Sequence, residues 1–304
     1  MHNLRMITFS KLGDKGNLGN QLFQIASTIG IGEKYGYEYG FPNWNFSQYF
    51  KNPIPFLKKD NSFELIKEKS YNHYEWNLDQ GNYDLDGWLQ SEKYFDIQKT
   101  KEVFQFKDFA NELHLKFDYL FTKKTILVSV RRGDFVKHPY YYQLSHLYYL
   151  KAIIKKFPDW KDRRIIFTSD DINYCKYHFS FLKNSFFLEN LSAIEQLVLG
   201  SKCDDFVISN STFSWWIAWL GEKESSKVIR PLKNFRGDFA KKNNDVDYFP
   251  ERWVSFDDKN QSLEKKYLVF QIRGFVYEFL VGSKIIFIQK KNKFKKRIKK
   301  YICK

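Results

Sequence analysis

Two arginines, Arg131 and Arg132, follow the apolar run Leu127-Val128-Ser129-Val130 and precede Gly133-Asp134. Guanidiniums held at the end of a buried strand suit a phosphate, because the planar fork makes two parallel charge-assisted hydrogen bonds. Two other apolar runs also end in polar clusters. Ile165-Ile166-Phe167 leads into Thr168-Ser169-Asp170-Asp171, and Phe206-Val207-Ile208 into Ser209-Asn210-Ser211-Thr212. Ser211 and Thr212 open a helical run, where hydroxyls, free N–H groups and the positive dipole end favour an anion. Asp170 and Asp171 would repel a phosphate unless a cation or a donor-rich base lies between them. A divalent ion and a guanine are both solutions, and an N-cap aspartate at Asp171 is the plain structural use.

These clusters need a scaffold that brings strand ends together. From Ile126 onward strands alternate with helices: Ile126–Val130, Tyr141–Phe157, Arg164–Phe167, Leu191–Gly200 (with Gly200 as its C-cap), Phe206–Ile208, Phe213–Leu220 and Lys227–Pro231. This alternation predicts a parallel sheet wound with helices, whose carboxyl ends share one edge. Arg131 and Arg132 are successive strand residues and point to opposite faces, so one holds the anion while the other packs or pairs, with Asp134 as a partner at hand. The tryptophans Trp215, Trp216 and Trp219 sit at helical spacing and are expected to pack, not to stack on a sugar.

The first third carries a second candidate loop. Ile7-Thr8-Phe9 reads as a strand, Gly13-Asp14-Lys15-Gly16-Asn17-Leu18-Gly19-Asn20 as a glycine loop, and the apolar spacing through Ile29 as a helix. Strand, glycine loop and helix make an anion cradle, although the loop is neither a Walker sequence nor GxGxxG. A second strand closes at Gly40-Phe41, residues 45–83 read as irregular, Ser91 as an N-cap, and Phe104–Phe121 as one amphipathic helix.

At 304 residues with 43% hydrophobic and 19% aromatic content, the chain is globular and has room for two domains, with boundaries expected at 1–122, 123–256 and 257–304. Its three cysteines are far apart, which excludes a disulfide framework or a CxxC zinc site and favours a reducing compartment. No apolar signal core opens the chain, so a cytoplasmic location is expected. The net charge of +15 is concentrated: residues 265–304 hold thirteen basic residues and one acid, Glu278, leaving the body close to balance. A nucleic-acid-binding protein acting through that tail is the reading from another class.

Five segments in order resemble the α-1,2-fucosyltransferases of glycosyltransferase family 11: Gly16-Asn17-Leu18-Gly19-Asn20-Gln21-Leu22-Phe23-Gln24, Gly87 to Phe95, Val128 to Phe135, Thr168 to Asp171 and Ser209 to Trp216, with Phe249-Pro250-Glu251-Arg252-Trp253 similar to the family's closing segment. The resemblance implies a GT-B-like α/β fold, two Rossmann-like domains facing across a cleft, and inverting, metal-independent transfer of L-fucose from GDP-β-L-fucose to the 2-OH of a terminal galactose. It implies Arg131 and Asn20 as catalytic residues. It also implies donor contacts from Gly19, Arg132, Asp134, Asp170, Asp171, Asn210, Ser211 and Thr212. Asp14 and Glu92 are the candidates for an acceptor-side base. A histidine is frequent in the family where Ser129 stands, so the nucleotide contacts differ here.

The tail lies beyond the resemblance. Leu268, Ile272, Phe275, Val276 and Phe279 are at helical spacing, interrupted by Arg273, Glu278 and Lys284, which is too charged to span a bilayer. With the lysines that follow, it reads as a peripheral anchor for the anionic inner face of the cell membrane. Truncation near Asn260 is then expected to spare transfer to a soluble acceptor.

Overall fold

The computed structural model describes residues 5–57, 62–281, 283, 284 and 291. Ten strands are described: β1 Met6–Thr8, β2 Glu38–Gly40, β3 Glu64–Lys67, β4 Tyr83–Asp86, β5 Thr125–Val130, β6 Arg164–Ser169, β7 Ser185–Phe187, β8 Asp205–Ile208, β9 Val228–Pro231 and β10 Val254–Phe256. Between them run α1 Leu18–Tyr35, α2 Ile97–Val103, α3 Phe109–Lys116, α4 His146–Lys156, α5 Ile172–Phe179, α6 Ala193–Ser201, α7 Thr212–Gly221 and α8 Gly237–Lys242.

The strands form two sheets, ordered β2-β1-β4-β3 and β10-β9-β8-β5-β6-β7, and every pairing is parallel. The six-stranded sheet has the order of a dinucleotide-binding sheet, with its direction of winding reversing between β5 and β8. Ligands bind at such a switch point, outside the carboxyl ends of the strands. Arg131 follows β5 and Ser209 follows β8, so the two sequence clusters flank the crevice. All six residues of β5 are buried, as a strand covered on both faces requires.

Helix α7 joins the two halves. Trp215, Trp216 and Trp219 are fully buried. Phe23 of α1 meets Trp215 and Trp216 at ring-centroid distances of 4.5 and 5.0 Å. One apolar core therefore runs from the first sheet through α1 to α6 and α7, and a second lies under α4 and α5. The tryptophans pack, as their spacing predicts.

Several elements depart from the sequence reading. The predicted helix 104–121 is broken: α2 ends at Val103, α3 spans Phe109–Lys116, and a 3-10 turn covers Asp118–Phe121. Strand β3 lies in the stretch read as irregular. It is a sheet edge with only Ile66 partly covered, so it lacks apolar alternation. Gly200 does not end α6, whose cap is Lys202. A Cβ at Gly200 would lie 2.7 Å from Ile217, so this glycine serves the α6–α7 contact. Ser91 caps a 3-10 turn, accepting from the Lys93 N–H.

The tail begins with a helix over residues 268–281, while the lysine-rich stretch beyond it lies, apart from Lys291, outside the described residues. The inner face of the helix packs on α4 and α5. Phe270 stacks on Phe181 at 3.7 Å, Arg273 lies over Tyr177, and Tyr277 meets Tyr177 and His178. Leu268, Ile272, Val276 and Phe279 form the opposite face and, with Phe275 at its margin beside His146, are each more than half exposed. No helix among the described residues is long and apolar enough to cross a membrane.

This seat is acid-sensitive. Burial holds the His146 imidazole down at about 4 and that of His178 at about 3, helped by the neighbouring Arg132 and, for His178, by His146 and Arg273. Both nitrogens of His146 and Nε2 of His178 lack hydrogen-bond partners. The folded state binds fewer protons than the unfolded chain, so this stability is full above the unfolded value of about 6.5 and declines as pH falls through it. Denaturant unfolding at pH 7.5 and 5.0 is expected to show a loss of about 2 kcal/mol for each imidazole. Equal or greater stability at pH 5.0 would refute this.

Candidate active site

A cleft of about 670 Å³ opens where the two halves meet. The first half contributes Asn17 to Gln21, Trp88 and Gln90, and the second contributes Ser129 to Arg131, Asp134, Thr168 to Asp170 and Asn210 to Ser214. Two helix starts converge there. A Cβ on Gly19, in the first turn of α1, would lie 2.5 Å from the Phe213 amide nitrogen and 2.6 Å from the Thr212 carbonyl carbon. The positive ends of α1 and α7 are thus nearly in contact, an arrangement that attracts a negative group. Gly16 adopts φ +79°, and any side chain there would strike Asn20. The Asn20 side-chain oxygen Oδ1 accepts from Gln90 Nε2 at 3.0 Å, which fixes the amide at the cleft edge.

Arg131 is held by two carboxylates. Its Nε and Nη2 reach Asp134 Oδ1 at 3.1 and 2.6 Å, and its Nε lies 3.3 Å from Asp170 Oδ2. About a quarter of the side chain remains exposed in the cleft. Asp170 also accepts the Arg132 backbone N–H at 2.8 Å, and a Cβ on Gly133 would collide with its Oδ2. Gly133 therefore lets Asp170 approach the loop that carries Arg131.

Arg132 is not a cleft residue. It is buried, its fork reaches Glu278 at 3.1 and 3.2 Å, and its guanidinium lies over Tyr174 at 3.9 Å. The alternation that separates the two arginines holds, but Arg131 is the one paired with Asp134. Asp171 also leaves the expected set: its carboxylate caps α5 through the Tyr174 N–H at 3.1 Å. Neither candidate base lines the cleft. Asp14 is exposed outside it, and Glu92 is held by Arg252 at 2.7 Å and by the Trp219 indole at 2.9 Å. Arg252 also binds Glu222, so this group ties Glu92 in the first half to α7.

Asn210 and Ser211 are at the cleft and are also structural. The Asn210 amide donates to the Asn234 carbonyl at 2.8 Å, while Ser211 caps α7 through the Phe213 N–H. The Ser214 hydroxyl bridges those of Ser129 (2.7 Å) and Ser209 (2.8 Å), joining the ends of β5 and β8 to α7. Thr212 lies at the start of α7 and faces the cleft.

The far wall is aromatic and is built from residues with no shared spacing in the chain. Phe135 and Tyr141 stack at 4.0 Å, Tyr140 and Phe239 at 4.5 Å, and Tyr71 meets Phe235 edge-on. Such a wall offers flat apolar surface to a sugar or a base. Glu68 was hidden on the unrecognised β3 side. Its carboxylate accepts from the Trp88 and Leu89 N–H groups at 2.6 and 2.9 Å, and Leu89 adopts φ +55°. Glu68 thereby sets the loop that delivers Trp88 and Gln90. His146, His178 and Glu278 bring ligand atoms within 4.8 Å of one another. Glu278 already serves Arg132 and Tyr174, and the guanidinium opposes a second cation.

Comparison with known proteins agrees with this architecture. The O-antigen biosynthesis glycosyltransferase WbnK of Escherichia coli is 29% identical over 155 residues, covering 48% of this chain and 49% of that protein. The α-1,2-colitosyltransferase of Escherichia coli is 27% identical over 188 residues, covering 59% and 64%. The chain thus spans about half to just under two thirds of these relatives. The crystal structure of NodZ α-1,6-fucosyltransferase soaked with GDP-fucose superposes with a TM-score of 0.50 at 12% identity, over 71% of this chain and 92% of that one. A mutant of Arabidopsis thaliana FUT1 in complex with GDP does so at 0.50 and 11%, over 85% and 78%. At such identity the superpositions show the fold, a GT-B-like pair of α/β halves. The family model described as Glycosyl transferase family 11 matches residues 34–257, and the chain belongs to that family.

Proposed function

We propose that this chain moves L-fucose from GDP-β-L-fucose to the 2-OH of a terminal galactose on a surface glycan, with inversion and without a metal. The observation that carries the reading is the position of Arg131, at the switch point of the six-stranded sheet and beside two converging helix starts. In the reaction the acceptor oxygen bonds to the anomeric carbon as the bond to the β-phosphate oxygen breaks, the electron pair leaving with GDP and the hydroxyl proton passing to solvent. Negative charge grows on departing GDP, where Arg131, the α7 start with Ser211 and Thr212, and the α1 start with Asn20 are already aimed. Donors preorganised for developing charge lower the barrier most. Asp170 and Asp134 orient the arginine in this reading. Asp170 positions Arg131 and Asp171 caps α5, and this use of the two carboxylates supports a reading without a divalent ion. Leaving-group stabilisation carries the step, and no residue is assigned as base.

Donor screening of the purified full chain tests this, using a galactose-terminated acceptor with and without EDTA. Transfer from GDP-fucose, undiminished by chelation and giving an α-1,2 product, is expected. Use of a UDP-sugar, a requirement for a divalent ion, or a β-linked product would overturn it. Another GDP-deoxysugar is the second arm, because one curated relative is an α-1,2-colitosyltransferase. The exposed face of the tail helix and the positive charge beyond it support peripheral attachment to an anionic inner membrane face. Salt-sensitive binding to nucleic acid in place of vesicles would favour the rival reading.

A further inference from the structure

The tail helix carries the only acid of residues 265–304, Glu278, and that acid is turned inward, with about a quarter of its side chain exposed. Both of its oxygens are engaged: Arg132 Nη1 donates to Oε1 at 3.1 Å, Arg132 Nη2 to Oε2 at 3.2 Å, and the Tyr174 hydroxyl to Oε1 at 2.6 Å. Arg132 is buried beneath it and lies against the Tyr174 ring. A guanidinium in that position needs its counter-charge, because one partner of a buried pair cannot be removed without stranding the other.

What Arg132 is attached to matters more. Its own backbone N–H donates to Asp170 Oδ1, and the other oxygen of Asp170 faces Arg131 Nε. A continuous path thus runs from Glu278 through the Arg132 side chain and backbone to Asp170 and then Arg131. The peptide between the arginines is shared, so a displaced Arg132 moves Arg131 as well. The helix is fitted closely enough to sustain this link. A Cβ on Gly274, one turn before Glu278, would overlap the His146 imidazole, so only glycine lets the helix settle at this depth.

We propose that Glu278 is a positioning residue for the transfer reaction, and that the docked tail helix orders the loop bearing Arg131. The tail is then part of the catalytic unit as well as a membrane anchor, and truncation near Asn260 removes both, contrary to the expectation from sequence. The inference rests on the donor reading given above.

The test uses the full chain with Glu278→Gln, Glu278→Asp and Gly274→Ala, and with Phe279→Ala on the exposed face as control. Three quantities are measured: turnover of GDP-fucose on a soluble acceptor, amide exchange across residues 131–136, and the melting temperature. Glu278→Gln is expected to lower kcat at least tenfold with a smaller change in KM for the acceptor, and to speed exchange in the loop. Glu278→Asp restores part of both. Gly274→Ala produces the same pair of changes without touching any charge, and alanine otherwise favours a helix, so a shared phenotype reports loss of docking. Phe279→Ala leaves all three unchanged. Wild-type kcat in Glu278→Gln, or reduced kcat with unaltered loop exchange, overturns the proposal. Wild-type enzyme inactive on every GDP-sugar would sink the donor reading instead, and loop exchange would still decide whether Glu278 orders the arginine loop.

Discussion

Replacing Arg131 by alanine is expected to lower kcat on the order of 10³-fold, about 4 kcal/mol of transition-state stabilisation. The guanidinium stands where β5 ends at the switch point, held by Asp134 and Asp170, with part of its donor surface left open to the cleft. On the proposed mechanism, its loss would leave the growing charge on the departing diphosphate without a fixed cation. Lysine keeps the charge but not the planar fork, so Arg131→Lys is expected to remain roughly 10²-fold impaired. The melting temperature should change little, because Asp170 retains the Arg132 N–H and Asp134 is largely exposed. Initial rates with GDP-fucose, beside circular dichroism of the folded variant, decide the matter. Wild-type turnover in the alanine variant would remove Arg131 from the mechanism.

The second large effect concerns a residue without a side chain. Gly19→Ala introduces a carbon 2.5 Å from the Phe213 backbone nitrogen. The obstacle is main chain and cannot rotate away, so α1 and α7 must separate. Overpacking of this kind costs about 1–3 kcal/mol, whereas alanine in an isolated helix would gain about 1 kcal/mol. A lowered melting temperature together with at least a tenfold drop in turnover is expected, because the same displacement parts the two helix starts that line the cleft. An unchanged melting temperature and rate would show that the close approach of α1 to α7 is dispensable.

Residues 126–231 were legible because their strands are buried on both faces and end abruptly in polar residues. A run such as Leu127 to Val130 followed by Arg-Arg-Gly-Asp states both the element and the polar end that reaches the cleft. The period of two also separates Arg131 from Arg132 without any coordinates. Strand β3 was not legible, since an edge strand with little to bury has no apolar alternation. The helix expected at 104–121 failed for a related reason. Its aromatics share a helical spacing, but Phe104 belongs to the end of one helix and Phe109 to the start of another, and both rows find partners around Phe50 and Tyr49.

The chemistry on offer was already written in the residues: the strand-end arginine, the helix-start hydroxyls, the glycine loop and the concentration of charge in the tail. These depend on residue type and short-range spacing, which local rules can read. Which groups share a site depends on the folded chain. It placed Asp170 on Arg131 and Asp171 on a helix cap, although the two are neighbours in the chain. It withdrew Glu92 and Asp14 from the cleft, and it brought Glu278 from 146 residues away to Arg132. Such choices follow from long-range packing, where burial selects a partner for each charge, and no local pattern encodes that selection.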